Sequence, residues 1–264
     1  MEKQAILEGM AAQRRQTVDR LGGTATVWEH VMPNGVSVGG AASWLVDADG
    51  QAARGRFGAL AGPVPQATAD DPGGEPASPV EVLEALEAGG QRLRERLRRM
   101  PRALWGLVTA TAPGQRLTLA EALARYVQRE WTTLAHPLGD HDEAPGGVLL
   151  PPGPASLVIT DAALARLPVE VLPHAVPRVG VVRLEVAPLP GSAPIRWWGV
   201  DFARKHYGPR VTALPDARVE VWGGALARVL DGAVDWQDLE GDGLAIEGDR
   251  ELAAACLASS GAGP

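Results

Sequence analysis

The stretch from Pro145 to Pro154 carries four prolines and three glycines, and it divides the chain into two segments with different patterns. Proline removes a backbone donor and glycine removes side-chain restraint, so this run suits neither a helix interior nor a sheet. Before it, apolar residues recur at helical spacing between polar loops; after it, short β-rich runs alternate. Each side must then bury an apolar face of its own, and the expected domains are residues 1–145 and 155–264. A chain of 264 residues is long enough to supply both cores.

Four helices are expected in the first segment. Residues 5–21 place Ile6, Met10, Val18 and Leu21 among charges. A second helix is expected from about Ser37 to Phe57 or Leu60, followed by a long Pro- and Gly-rich surface loop from Gly62 to Pro79. The third helix has a clear start: Ser78 caps, Pro79 suits the first helical position, and Glu81 completes a capping box. It runs toward Met100 and stops at Pro101. Gly89-Gly90 in its middle weakens it by roughly 1 kcal/mol per glycine, which a kink or a closely approaching neighbour would explain. Thr118 and Glu121 repeat the box for a fourth helix, expected through Leu123, Tyr126 and Val127 to about Leu134. Four amphipathic helices with polar connections point to an antiparallel bundle.

The second segment reads as small α+β. Strands are expected at residues 179–186, 195–202 and 218–222, with short helices at about 161–166, 224–230 and 249–258. Leu244 and Ile246 alternate on an edge-like strand. Gly248 permits a sharp reversal, and Asp249 caps the last helix. Alternation puts Trp197 and Trp198 on opposite faces of their strand, so one indole belongs to the core and the other is free to line a pocket.

The net charge of -7 argues against nucleic acid as a partner. No apolar run approaches membrane-spanning length, and the first residues lack a signal-peptide pattern, so the expected location is cytoplasmic. Cys256 is the only cysteine, which excludes an internal disulfide, and its helical spacing from Leu252 reads as a buried small residue. No P-loop, Rossmann fingerprint, HExxH or Ser-His-Asp pattern is present. A small molecule is the expected kind of partner, and the residues themselves point to no cofactor and no oligomeric state.

Val36-Ser37-Val38-Gly39-Gly40-Ala41-Ala42-Ser43-Trp44-Leu45-Val46, followed by Asp47-Ala48-Asp49, resembles the second helix of the DinB-like, mycothiol-dependent maleylpyruvate isomerase family. Arg129-Glu130-Trp131-Thr132-Thr133-Leu134-Ala135-His136 resembles a run in that family's fourth helix. The later half, in Val182–Val186, Trp197–Asp201, Asp216–Glu220, Leu226–Gly232 and above all Asp242–Ala253, resembles the sterol-carrier-protein-like fold that often follows the bundle in this family. The resemblance implies an α+β protein: an N-terminal four-helix bundle of DinB-like type, then a small sterol-carrier-like α+β domain.

The resemblance also implies a divalent metal, held by one histidine of the second helix and by a glutamate and a histidine of the fourth, where it activates the thiol of a low-molecular-weight cofactor. Those ligand positions fall on Trp44, Glu130 and Leu134 here. Indole has no lone pair for a metal and leucine has no donor, so only Glu130 is kept. Two routes would rebuild a site: His136 turning inward at the helix end, or His30 or His141 joining Glu130. Otherwise Trp44 and Leu134 face each other and fill the former cavity, and Glu130 needs Arg125, Arg129 or a buried water, or is neutral.

Three readings of function follow, one of them a protein-interaction module in which neither pocket operates. In the first, the chain is a divergent member of that family, without the metal, whose ligand pocket of Trp44, Glu130 and Leu134 takes a small apolar or amphipathic molecule. In the second, it is a thiol-dependent isomerase or S-transferase of mycothiol or bacillithiol type, with zinc or nickel as cofactor.

Overall fold

The computed structural model describes residues 2–23, 25–31, 36–61, 78–112, 115–135, 153–168, 179–187, 193–211, 213–230, 234–241 and 243–257. The chain falls into two compact units, Met1–Gly139 with Pro151–Val158 and Asp140–Leu150 with Ile159–Pro264. The protein is α+β, with helices in the first unit and a mixed sheet in the second.

The first unit is a bundle of α1 (Lys3–Leu21), α2 (Val38–Ala53), α3 (Pro79–Arg99) and α4 (Leu119–Glu130). α2 packs on α3, and α1 packs on both α3 and α4. Ile6, Met10, Leu21, Leu45, Leu86, Leu93, Leu97, Leu123 and Val127 are buried along the facing stripes. Both expected capping boxes form. Ser78 N donates to the Glu81 carboxylate at 2.9 Å while Ser78 Oγ accepts from Glu81 N; Thr118 N and Glu121 repeat this at 2.8 Å. The backbone hydrogen bond from Ser78 holds the Glu81 carboxyl below its ordinary pKa. At the far end of α3, Lys3 Nζ donates to the carbonyls of Arg98 and Met100 at 2.9 and 2.7 Å and lies 5.5 Å from the Trp105 ring centroid. A cation at a helix C-terminus is favourable for the carbonyls exposed there.

Three boundaries differ from expectation. α2 ends at Ala53, because Gly55 takes a φ of +94 and the chain re-enters a 3-10 turn at Phe57–Leu60. A hairpin not foreseen, β1 (Val108–Ala112) paired antiparallel with β2 (Gln115–Thr118), feeds directly into α4. The α-helical part of α4 stops at Glu130, and a π-helical turn, Trp131–Ala135, carries the chain on through Leu134. The expected loop of residues 62–77 and most of the expected 145–154 linker lie outside the described residues. α5 (Pro154–Arg166) begins within that linker run, several residues before the helix expected at 161–166.

The second unit is built on β3 (Val181–Ala187), β4 (Arg196–Asp201), β5 (His206–Gly208), β6 (Ala217–Trp222) and β7 (Leu244–Gly248), in the order β5-β4-β3-β6-β7. β3 and β6 run parallel and the other pairs are antiparallel. Val182, Leu184, Val186, Val200, Val219 and Val221 are buried on one face. α6 (Gly223–Leu230) packs against β6, and α7 (Arg250–Leu257) packs against β3 and β6. Arg183, Glu185, Arg218, Glu220 and Glu247 form an ion-paired ladder on the other face. Trp198 stands opposite Leu184 on the covered face, and Trp197 is 48% exposed on the ladder face. β7 is an edge strand, as read from its alternation. Gly248 turns at φ +84, and Asp249 Oδ1 accepts from Leu252 N at 3.0 Å to start α7. Lys205, at φ 49, is exposed in the turn between β4 and β5. Cys256 is fully buried, and burial pushes its thiol pKa up. Among the described residues no helix is long and apolar enough to cross a membrane.

Candidate functional site

Arg14 is the residue around which the bundle's polar interior is built. It lies on the buried stripe of α1, in register with Ile6, Met10, Thr17 and Leu21, where helical spacing calls for an apolar side chain. Its guanidinium has five N–H donors, and all five have acceptors. Nε donates to Glu130 Oε1 at 2.8 Å, and Nη2 to Glu130 Oε2 at 3.1 Å and Tyr126 Oη at 3.2 Å. Nη1 donates to Asp49 Oδ2 at 2.6 Å and to the Leu86 carbonyl at 2.8 Å. Tyr126 Oη donates in turn to Asp49 Oδ1 at 2.8 Å. All four helices therefore contribute: α1 the cation, α2 Asp49, α3 a backbone oxygen, and α4 both Tyr126 and, one turn on, Glu130.

The site is dry. Arg14, Asp49, Tyr126 and Glu130 are exposed by 6%, 0%, 1% and 2%. Burial alone would lower the pKa of the Arg14 guanidinium, but the charges of Glu130 and Asp49 outweigh it and hold that pKa well above its ordinary value. Burial, aided by the charge of Asp49, raises the Tyr126 phenol well above its ordinary value, so Tyr126 stays a neutral hydrogen-bond donor. The bidentate pairing of Arg14 with Glu130 is the strong, directional form of an ion pair.

Gly89 and Gly90 make room for this arrangement on α3. A Cβ at Gly89 would lie 3.2 Å from Asp49 Cβ, and one at Gly90 would lie 2.9 Å from Arg14 Nη1. The second is closer than a Cβ tolerates, and the first is tight enough that Asp49 would have to give way by a few tenths of an ångström. The glycine pair is explained by the close approach of α1 and α2.

The residues expected from sequence are placed as follows. Glu130 is buried at the end of α4 in the grip of Arg14, a partner that sequence reading did not single out. Leu134 is fully buried in the π-helical turn. Trp44 is half-buried on α2, its ring centroid 6.2 Å from that of Tyr126 and tilted by 52°. It thus stands over Tyr126, and the interior is filled by the Arg14 network, not by an indole plug. His30 is exposed at the end of a 3-10 turn; His136 and His141 lie outside the described residues. Arg14, Asp49 and Tyr126 went unrecognised as site residues. The signal that could have found them is an arginine on an apolar helical stripe combined with two glycines inside α3.

A divalent metal of the zinc or nickel type does not fit these residues. Such metals take lone pairs from several nitrogen, sulfur or oxygen donors. Trp44 and Leu134 offer none, and both Glu130 oxygens already accept from a guanidinium that a metal would have to displace. Among the described residues no three His, Cys, Asp or Glu side chains come together as a metal-binding group. The arrangement holds a carboxylate fixed and neutralised.

Compared by sequence, the chain matches no protein-family model and no curated protein. Among solved structures it is similar to the mycothiol-dependent maleylpyruvate isomerase, with a TM-score of 0.50 and 14% identity over 94% of this chain and 95% of that one. A variant of that isomerase with one histidine replaced by alanine gives a TM-score of 0.49 at the same identity and coverage. Sterol carrier protein 2 like 2 from Aedes aegypti aligns with 38% of this chain and 91% of its own, at 23% identity and a TM-score of 0.30. The chain shares the fold of the isomerase, and identities this low carry no more than the fold.

Proposed function

We propose that the chain is a divergent relative of the thiol-dependent isomerases of this fold, one that lacks their metal chemistry and binds a small apolar or amphipathic molecule. The observation that carries this reading is Glu130: the one side chain at the three expected ligand positions able to hold a metal is taken up at both oxygens by Arg14. A metal-activated thiolate needs open coordination positions on a bound cation, and the donor set supplies no such cation. The ligand pocket is assigned to Trp44, Glu130 and Leu134, of which Trp44 is half-buried and the other two are buried. A half-exposed indole offers an apolar face and an N–H donor, which suits an amphipathic guest. The cytoplasm is the compartment assigned to it.

Metal analysis and native mass spectrometry of the purified protein test this. The expected result is no stoichiometric transition metal, together with a small-molecule adduct that weakens in Trp44→Ala. Stoichiometric zinc or nickel that disappears in Glu130→Ala would overturn the reading in favour of a thiol-dependent isomerase or transferase.

A further inference from the structure

We propose that Arg14 is the resident cation of this bundle: its guanidinium fills a pre-shaped cation site made by four helices, and that site recognises a free guanidinium ion once the Arg14 side chain is removed. The inference rests on the metal-free reading above and adds to it what the buried carboxylates are for.

Three observations carry it. The acceptors are complete and planar-cation-specific: two oxygens of Glu130, one of Asp49, the Leu86 carbonyl and the Tyr126 hydroxyl match the five N–H donors of the Arg14 guanidinium one for one, at 2.6–3.2 Å, and a free guanidinium ion adds only a sixth where the side chain left. A lysine ammonium has three donors and a free ammonium ion four, so either would leave buried acceptors unmet. The cage carries two buried carboxylates, so without a cation it is strongly disfavoured. Finally, the chain accommodates the guanidinium with Gly89 and Gly90, since a Cβ at Gly90 would meet Nη1 at 2.9 Å. Two adjacent glycines inside a 21-residue helix are costly on propensity grounds and make sense as clearance for that group.

The cation that orders the centre of the bundle is thus covalently part of the chain. The site needs no metal supply and loses nothing to a chelator, yet it keeps a carboxylate of α4 fixed against α1, α2 and α3.

The test is chemical rescue of Arg14→Ala in the full chain, read as melting temperature. Millimolar guanidinium chloride, far below denaturing levels, is expected to raise the variant's melting temperature by at least about 2–4 °C over equal concentrations of sodium or ammonium chloride. Wild type, whose site is filled, is expected to show no rise. The rise is expected to vanish in Arg14→Ala/Glu130→Gln. A variant rescued equally by ammonium, or rescued regardless of Glu130, overturns the proposal. Should Arg14→Ala fail to fold, Arg14→Lys decides: it keeps the charge without the fork, so a melting temperature equal to wild type overturns the proposal and a clear drop supports it. Failure of guanidinium to rescue Arg14→Ala, with the wild-type protein free of metal, sinks this inference alone, whereas metal in the wild type sinks the proposed function.

Discussion

At Arg14 the desolvation of a guanidinium, a penalty of several kcal/mol, is offset only because every N–H has an acceptor and two carboxylates lie in contact with it. The same balance fixes the response to mutation. Arg14→Met keeps much of the volume but strands Asp49 and Glu130 as buried charges, and it is expected to cost about 3–5 kcal/mol in chemical denaturation. Replacing Arg14, Asp49 and Glu130 together by apolar residues is expected to cost much less, because no charge is then left unpaired. Tyr126 gives a pH signature. Its phenol is held above its ordinary pKa by burial and by the Asp49 charge, whereas in the unfolded chain it ionises near roughly 10. A group whose pKa is raised on folding contributes stability below the unfolded value and loses it as pH climbs toward the folded one. Stability is therefore expected to fall as pH rises past that point, and Tyr126→Phe to flatten the fall; an unchanged slope would remove Tyr126 from the account.

Among the elements, α3 carries the sharpest test of packing against propensity. Alanine in place of Gly90 gains roughly 1 kcal/mol of helix propensity, but its Cβ would press on an Arg14 Nη1 locked by Asp49 and the Leu86 carbonyl. Gly90→Ala is expected to destabilise the wild type and to stabilise the Arg14→Ala background, a reversal of sign that a double-mutant cycle reads directly. In the sheet unit, Gly248→Ala forces a side chain onto φ +84 and sets a Cβ 2.3 Å from the Asp216 carbonyl, so a loss of more than about 2 kcal/mol is expected. Legibility in the sequence followed the range of each interaction. Ser78 with Glu81 and Thr118 with Glu121 lie three residues apart, so their boxes could be read and do form. The edge strand ending at Gly248 and the cap at Asp249 were equally local. The hairpin of β1 and β2 escaped because its strands are only five and four residues long, and the small residues alternating with threonine along Val108–Ala112 give little apolar contrast. Arg14 and Glu130 are 116 residues apart, and nothing local records that they meet. Only the glycines of α3, placed where a helix would prefer alanine, left a trace of the side chains they accommodate.

For the molecule as a whole, the fold shared with the isomerase covers nearly the full chain, and the polar interior of the bundle is held together by the Arg14 guanidinium. Prolonged treatment with a strong chelator is accordingly expected to leave the unfolding transition where it was; a downward shift reversed by added zinc would contradict the resident-cation account. The two lysines have a practical consequence as well. Lys3 Nζ is engaged by two carbonyls and an indole face at the end of α3, whereas Lys205 stands exposed on a turn of the other unit. Of the two side chains, Lys205 is therefore the one an amine-reactive dye is expected to label, at a pH high enough that the more acidic α-amino group no longer dominates the reaction. That gives a fluorescent reporter on the sheet unit without any engineered cysteine, since Cys256 is shielded from thiol reagents by the core.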